Sequence, residues 1–436
     1  MTVERGRRRA SQTVRSHAEH GNERVVLVAF ASVLLLCAGV ARGGDNWPQL
    51  FGPTGDGQSE AKNLPVTWSE TENVKWKTPI HDRGHSSPVI WGGQIWLTTA
   101  LKDGKQLFAV CVNRDSGRIV HDLKVFDVEK PEFCYPLNSY ASPTPAIEAG
   151  RVYVHFGTYG TACLDTATGK TLWERRDLHC DHFRGPGSSP FLCGDLLILH
   201  FDGFDVQYLV ALDKATGKTV WKTDRSTEFG NLDGDLRKAY ATPTLITAAG
   251  RQQLLSPGAK AAMAYDPKTG EELWKIRYDG FSNVARPLFS QGLAIINTGF
   301  GSPELWAVRP DGRGDVTASH VVWKHRKGVP AKPTPVIVGE AIYMVSDSGV
   351  ASSIEVVTGK LLWQTRVGGE FSASPLVADG RIYVPDHDGK TVVLAPGGEY
   401  KQLAANKLDA GCMASPAASG KAIYLRTKTH LYRIEK

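Results

Sequence analysis

The stretch Asp165–Trp173, DTATGKTLW, decides the fold, because it returns three more times: DKATGKTVW at Asp213–Trp221, DPKTGEELW at Asp266–Trp274 and EVVTGKLLW at Glu355–Trp363. A worn copy, NRDSGRIVH, stands at Asn113–His121. In every copy an acid or amide precedes a glycine by four residues, and the glycine precedes the Trp position by four. Self-similarity at a fixed period signals a repeat architecture. Upstream of each copy lies a second element: a small residue, a proline, apolar residues, a turn, then an alternating run. Examples are SPTPAIEAGRVYVHF (142–156), TPVIVGEAIYMV (334–345) and SPLVADGRIYVP (374–385). The prolines taken as the mark of each unit are Pro88, Pro143, Pro190, Pro243, Pro287, Pro335, Pro375 and Pro416.

Each unit therefore holds four short runs with period-two alternation broken by glycine turns, which means antiparallel strands rather than helices. The acid at the turn accepts backbone N–H groups, and the glycine supplies the positive φ that closes the hairpin. One four-stranded unit cannot bury both faces alone. A ring of them can, so the predicted fold is all-β: an eight-bladed β-propeller of four-stranded antiparallel blades. Trp76, Trp173, Trp221, Trp274, Trp323 and Trp363 are expected as structural wedges between neighbouring blades. After Pro416 the chain ends before an outer, Trp-bearing strand, whereas NVKWKTPI at 73–80 copies that strand's sequence. The amino-terminal strand should therefore complete the last blade and remove an open sheet edge. The predicted domains are a signal peptide (1–43), an arm lying over the ring (44–72) and the propeller (73–436).

Composition agrees with many strands and tight turns: 45 Gly and 11 Trp against 4 Met. The formal charge of +6 misleads, because residues 1–43 carry seven Arg against three Glu, leaving 44 basic and 42 acidic side chains elsewhere. Such a chain has no global field for nucleic acid. Arg5, Arg7, Arg8, Arg9, Arg15 and Arg24 precede an apolar run from Val25 to Ala41, with small residues near its end. That order reads as a secretory signal, with an uncleaved anchor as the alternative. Export to the periplasm or the extracellular space follows, in a chain expected to be monomeric. An oxidising compartment permits disulfides among Cys111, Cys134, Cys163, Cys180, Cys193 and Cys412, and a Cys134–Cys180 bridge is one option.

The unit ALDxxTGKxxW preceded by a small-residue–proline strand resembles the pyrroloquinoline-quinone repeat, over essentially everything after residue 73. The resemblance implies one of two branches: quinoprotein dehydrogenases, or non-catalytic eight-bladed propellers similar to the outer-membrane-protein assembly lipoprotein. Exported bacterial propellers of the second kind are the nearer likeness. Members of the first usually carry adjacent cysteines over the cofactor, and this chain has no such pair and no CxxCH. The expectation is accordingly no cofactor and no resident metal, with pyrroloquinoline quinone and Ca²⁺ as the alternative.

Loops from one blade's Trp position to the next blade's proline should ring one mouth of the axial channel. Those at His121–Pro143, Trp173–Pro190 and Trp221–Pro243 are longer than the ones that follow and should form a one-sided cap. Long loops on a rigid scaffold are where binding groups reside. Residues just before each proline make the candidate ligand site: Arg83, His85, Asn138, Tyr140, His182, Arg184, Lys238, Tyr240, Asn283, Arg286 and Lys332. His200, Asp202, Asp205 and Lys260 are expected on the same face. Arginine and lysine suit carboxylate, sulfate, phosphate or an acidic peptide. Competing partners for these cations are Asp181, Asp233 and Asp235. Two weaker constellations are His179–His182 (HCDH) as a metal site and Asn231-x-Asp233-x-Asp235 as part of a calcium loop. DGRGD (311–315) reads as a hairpin insertion. No catalytic residues are identified. The leading reading is a non-enzymatic envelope scaffold presenting a basic mouth to proteins or peptides. The others are binding or processing of an anionic small molecule or glycan, and a quinoprotein dehydrogenase.

Overall fold

A computed structural model describes residues 46–436, and the expected signal segment lies outside them. Eight small sheets form the blades, at 89–127, 146–175, 191–224, 244–277, 288–325, 336–366, 376–407 and 417–434, the last completed by 74–79. Blade 3 shows the pattern: Phe191–Cys193 pairs with Leu196–Asp202, then Gln207–Asp213, then Thr219–Asp224, all antiparallel. Its middle strands are buried on both faces, because each blade is sandwiched between two others. The outer strand alternates and meets solvent.

The repeat signature accounts for the outer turn of the blades that carry it. Asp213 Oδ1 accepts the Thr216 backbone N–H at 2.8 Å and the Thr216 hydroxyl at 2.7 Å. Gly217 follows at φ +72°, and a Cβ there would lie 2.7 Å from the indole of Trp173 in blade 2. The same wedge joins Trp221 to Gly270 and Trp323 to Gly359. Each indole N–H is also satisfied: Trp173 donates to Lys214 O at 3.0 Å, Trp221 to Pro267 O at 3.2 Å, Trp323 to Val356 O at 2.9 Å and Trp363 to Gly397 O at 3.1 Å.

Closure follows the same rule. Val74–Pro79 pairs antiparallel with His430–Ile434, with Trp76 opposite Arg433. Trp76 then packs on Gly117 of blade 1. Trp274 departs from the pattern. It is fully buried and donates to Gln253 Oε1 of its own blade at 2.7 Å. Outside it, Gly314–Asp315 adds a parallel fifth strand to blade 4. The 311–315 segment is thus a crossover that reinforces the neighbouring blade, not a hairpin.

The arm crosses the hub of the ring. Trp47 bridges Ile90 of blade 1, and Pro48 O accepts from Ile147 N of blade 2 at 2.8 Å. Leu50 O then meets Arg286 of blade 5, and Gln58–Ser59 pairs parallel with the inner strand of blade 7. Beyond that, the arm runs out between blades 7 and 8. The outer strand of blade 7 has no tryptophan, and Trp68 of the arm fills the place, stacked on Tyr383 with centroids 6.1 Å apart. Trp173 on Tyr153 and Trp76 on Tyr424 show the same spacing.

Candidate functional site: a one-ended axial cup

The residue before each inner-strand proline builds a girdle around the axis. The backbone N–H of one blade donates to the hydroxyl of the next: Ser87 to Thr144, Thr144 to Ser189, and Ser189 to Thr242. The chain resumes from Arg286 to Thr334, Ser374, Ser415 and back to Ser87, all seven links spanning 2.8–3.0 Å. The register shows that Pro145, not Pro143, is the marker proline of blade 2. Arg286 stands where the eighth hydroxyl would be. Its guanidinium donates instead to Pro243 O (2.8 Å), Thr244 Oγ1 (3.0 Å) and Leu50 O (2.9 Å), locking the arm across the hub.

Above the girdle lies a cavity of about 510 Å³, a size suited to a small organic ligand or a chain end. The seven girdle hydroxyl residues line it, together with Leu50 and Phe51 of the arm. The arm's neighbours on the inner strands lie past the girdle, so Leu50 and Phe51 form a floor and the cavity is a cup open toward the long loops. Three of those loops interlock. Asn138 Nδ2 donates to Arg184 O at 2.9 Å and to Pro186 O at 3.1 Å, and Arg184 pairs with Asp235 at 3.1 Å. Lys238 pairs with Asp235 as well, and donates to Ser282 Oγ at 3.0 Å.

The structure brings His85, Asn138, Arg184, Lys238, Tyr240 and Lys332 to the wall of this cup. The other five candidates serve elsewhere. Arg83 donates to Pro136 O, and the Tyr140 hydroxyl to Glu132 O at 2.7 Å. His182 is buried and accepts from Thr158 N at 3.0 Å, Asn283 donates to Asn297 O at 3.0 Å, and Arg286 is the girdle lock already described. Four further residues expected at the mouth are also structural. His200 is buried between Ala241 O and Ser256 Oγ, and Asp202 is buried against Arg225 at 2.5 Å. Asp205 accepts from Asp181 N, and Lys260 donates to Asp279 O.

Charge in the cup is uneven. Arg184 and Lys238 share one carboxylate, and Lys332 faces Asp347 at 3.3 Å. Apolar groups make up much of the remaining wall, among them Tyr135, Leu137, Phe281, Phe300 and Met413. The floor of arm residues and the apolar rim are single-copy features, which a search for repeats does not reveal.

The weaker constellations dissolve. Among the described residues no group of three His, Cys, Asp or Glu side chains could hold a metal ion. In HCDH, His179 reaches Thr158 Oγ1 while Asp181 caps Phe183 N. Asp233 accepts Asp235 N at the start of the short 3₁₀ turn Gly234–Leu236. Asp235 itself is held by cations. The six cysteines after residue 46 are all unpaired, so the Cys134–Cys180 bridge is not formed.

The fold and site define a class: an eight-bladed propeller with a hydroxyl-girdled cup at its hub. A family model described as outer membrane protein assembly factor BamB matches residues 109–246 and 205–436, and the chain belongs to that family. The outer membrane protein assembly factor BamB of Yersinia pestis is 24% identical over 201 residues, 42% of this chain and 48% of that protein. Tetrathionate hydrolase of Acidithiobacillus ferrooxidans is 22% identical over 257 residues, 55% of this chain and 48% of that one. The chain spans about half the length of these curated relatives. Among solved structures, quinohemoprotein alcohol dehydrogenase from Comamonas testosteroni superposes with a TM-score of 0.65 at 12% identity, covering 90% of this chain and 81% of the other. BamB from Moraxella catarrhalis gives 0.56 at 14%, covering 83% and 99%. At such identities these structures speak for the fold alone. No helix among the described residues is long and apolar enough to cross a membrane.

Proposed function

We propose that this chain is a non-enzymatic, exported binding propeller that holds segments of envelope proteins at the mouth of its axial cup. One observation carries the reading. The long loop entering blade 2 presents Phe133, Tyr135 and Leu137 to solvent, at 62%, 40% and 53% exposure, beside the cup and its cations. Tyr135 and Leu137 also line the cup. Large exposed apolar side chains gathered on one loop of a rigid scaffold mark a contact surface. Membership of the BamB family supports an assembly role in the envelope. The test is a pull-down from envelope extract with the parent protein and a Phe133→Ser/Leu137→Ser variant. Envelope proteins should co-purify with the parent and be lost from the variant; equal capture by both would end this reading.

For a quinone cofactor with calcium, the donor set does not fit. The cup offers one carboxylate, Asp235, already held by Arg184 and Lys238, and neither tryptophan nor cysteine lines it. Dye-linked oxidation of alcohols or sugars by the protein supplied with the quinone and Ca²⁺ would contradict this and reinstate the enzymatic reading.

A further inference from the structure

The two halves of the cup differ in how their charge is met. On the blade 3–4 side Asp235 sits between Arg184 and Lys238. Behind the wall on the side running from blade 6 through blades 7 and 8 to blade 1, three cations that do not themselves line the cavity, Arg83, Arg426 and Lys428, act on it without a carboxylate partner. Arg426 is buried with no carboxylate within 4 Å. Its Nη1 reaches only Ser86 O (3.0 Å), Ser86 Oγ (2.6 Å) and Thr98 O (2.8 Å), and burial pushes the guanidinium down to about 9. Lys428 donates to His387 O at 3.1 Å, and Arg83 to Pro136 O. Carboxylates nearby are engaged: Asp347 with Lys332, Glu370 with His387 at 3.5 Å, and Asp386 with the amides of Asp388 and Lys390.

Into this arc projects His85, half-buried on the cup wall, whose ring makes no hydrogen bond to another described residue. Burial and then Arg83, Arg426, Lys428 and His387 hold the imidazole down to about 3, so it is neutral and keeps one N–H to donate. Backbone donors are scarce, because the amides of Ser87, Thr334, Ser374 and Ser415 are spent on the girdle or on hydroxyls within it. One imidazole and one lysine facing the cavity match a singly charged anion better than a phosphate dianion, which needs more donors. Across the cup lie Tyr240, Phe281 and Phe300.

We infer that the arc from Lys332 through Ser415 to His85 seats a carboxylate carried next to an apolar group, with the apolar part lying against Tyr240, Phe281 and Phe300. This deepens the scaffold reading and rests on it for the site, because the same chemistry belongs to the carboxyl end of a polypeptide and to a free aromatic acid.

Calorimetric titration of the full chain tests it with three probes: a glycine-rich pentapeptide ending in phenylalanine, the same peptide as its amide, and 3-phenylpropanoate. The free-acid peptide should bind at least about tenfold more tightly than the amide, the worth of one charge-assisted hydrogen bond. His85→Phe and Lys332→Met, both on the cavity wall, should each weaken the acid several-fold, while Lys218→Met on an outer turn leaves it unchanged. Equal binding of acid and amide, or full affinity in both variants with unchanged melting temperature, overturns the inference. Binding of 3-phenylpropanoate as tight as the peptide supports the subsite with a small acid as its source; binding of the peptide alone supports it with a chain end. If no probe binds while the Phe133→Ser/Leu137→Ser pair still abolishes capture of envelope proteins, the anion subsite falls and the scaffold reading stands.

Discussion

Trp76, from the strand nearest the amino end of the ring, lies on Gly117 of blade 1, where a Cβ would come within 2.7 Å of the indole. Trp173 lies on Gly217 in the same way two blades on. The junction that closes the ring is therefore built like an ordinary junction within it, and the indole–glycine contact is its working unit.

Gly217→Ala should separate two costs. A positive φ alone disfavours alanine by about 1 kcal/mol, and Gly194, at φ +59° with nothing near its would-be Cβ, isolates that part. At Gly217 the indole must also move, which adds about 1–3 kcal/mol of overpacking. Urea unfolding should therefore rank Gly194→Ala as mild and Gly217→Ala as severe. Equal losses would mean the wedge is not tight.

The arm should behave as a staple across the hub. Trp68→Ala removes a buried indole from between blades 7 and 8 and should cost about 3–5 kcal/mol. Arg286→Met leaves Leu50 O and Pro243 O without their donor, at about 1–3 kcal/mol. Limited proteolysis should then cut within residues 47–59, which the parent protects. Arg286→Thr should recover part of the stability by supplying the missing girdle hydroxyl, yet leave the arm cleavable.

These contrasts also show what sequence carries. The blade count and the closing strand were legible because Asp–Thr–Gly–Trp signatures repeat, and NVKWKTPI copies one of them. The path of the arm was not, since Trp68 takes the place of an absent outer-strand tryptophan from a segment with no repeat around it. At the site, nearness to a marker proline located His85, Arg184 and Lys332 on the cup wall. It could not tell that Arg286, one residue before its own proline, turns away to hold Leu50 O. Such partners are carbonyls, and carbonyls are the same in every residue.

Acid should destabilise the propeller early. Burial holds His155 down to about 3 and His182 down to about 4, both well below the ordinary 6.5. Their neutral forms are favoured by folding, so the stability they contribute is complete above pH 6.5 and is lost as pH falls toward the folded values. Each should cost about 1.4 kcal/mol per pH unit below 6.5. Denaturation at pH 7 and pH 5 measures the loss, and His155→Gln should flatten it. An identical slope in that variant would exclude His155 as a source.

The buried pair Asp202–Arg225 supplies the sharpest test of the core around blade 3. Both side chains are 1% exposed and meet at 2.5 Å and 2.7 Å through two parallel bonds. Arg225 also reaches Ser256 O and Oγ, so it ties blade 3 to blade 4. Burial raises the Asp202 carboxyl, while the charge of Arg225 and its hydrogen bonds oppose the rise. Removing one charge strands the other in an apolar site, so Asp202→Asn should cost about 3–5 kcal/mol. Replacing both, as Asp202→Leu/Arg225→Met, strands neither and should cost much less. A double-mutant cycle by urea unfolding reads the difference directly. If the double replacement is as damaging as the sum of the singles, the pair holds the blades through bonds to Ser256 rather than through mutual neutralisation.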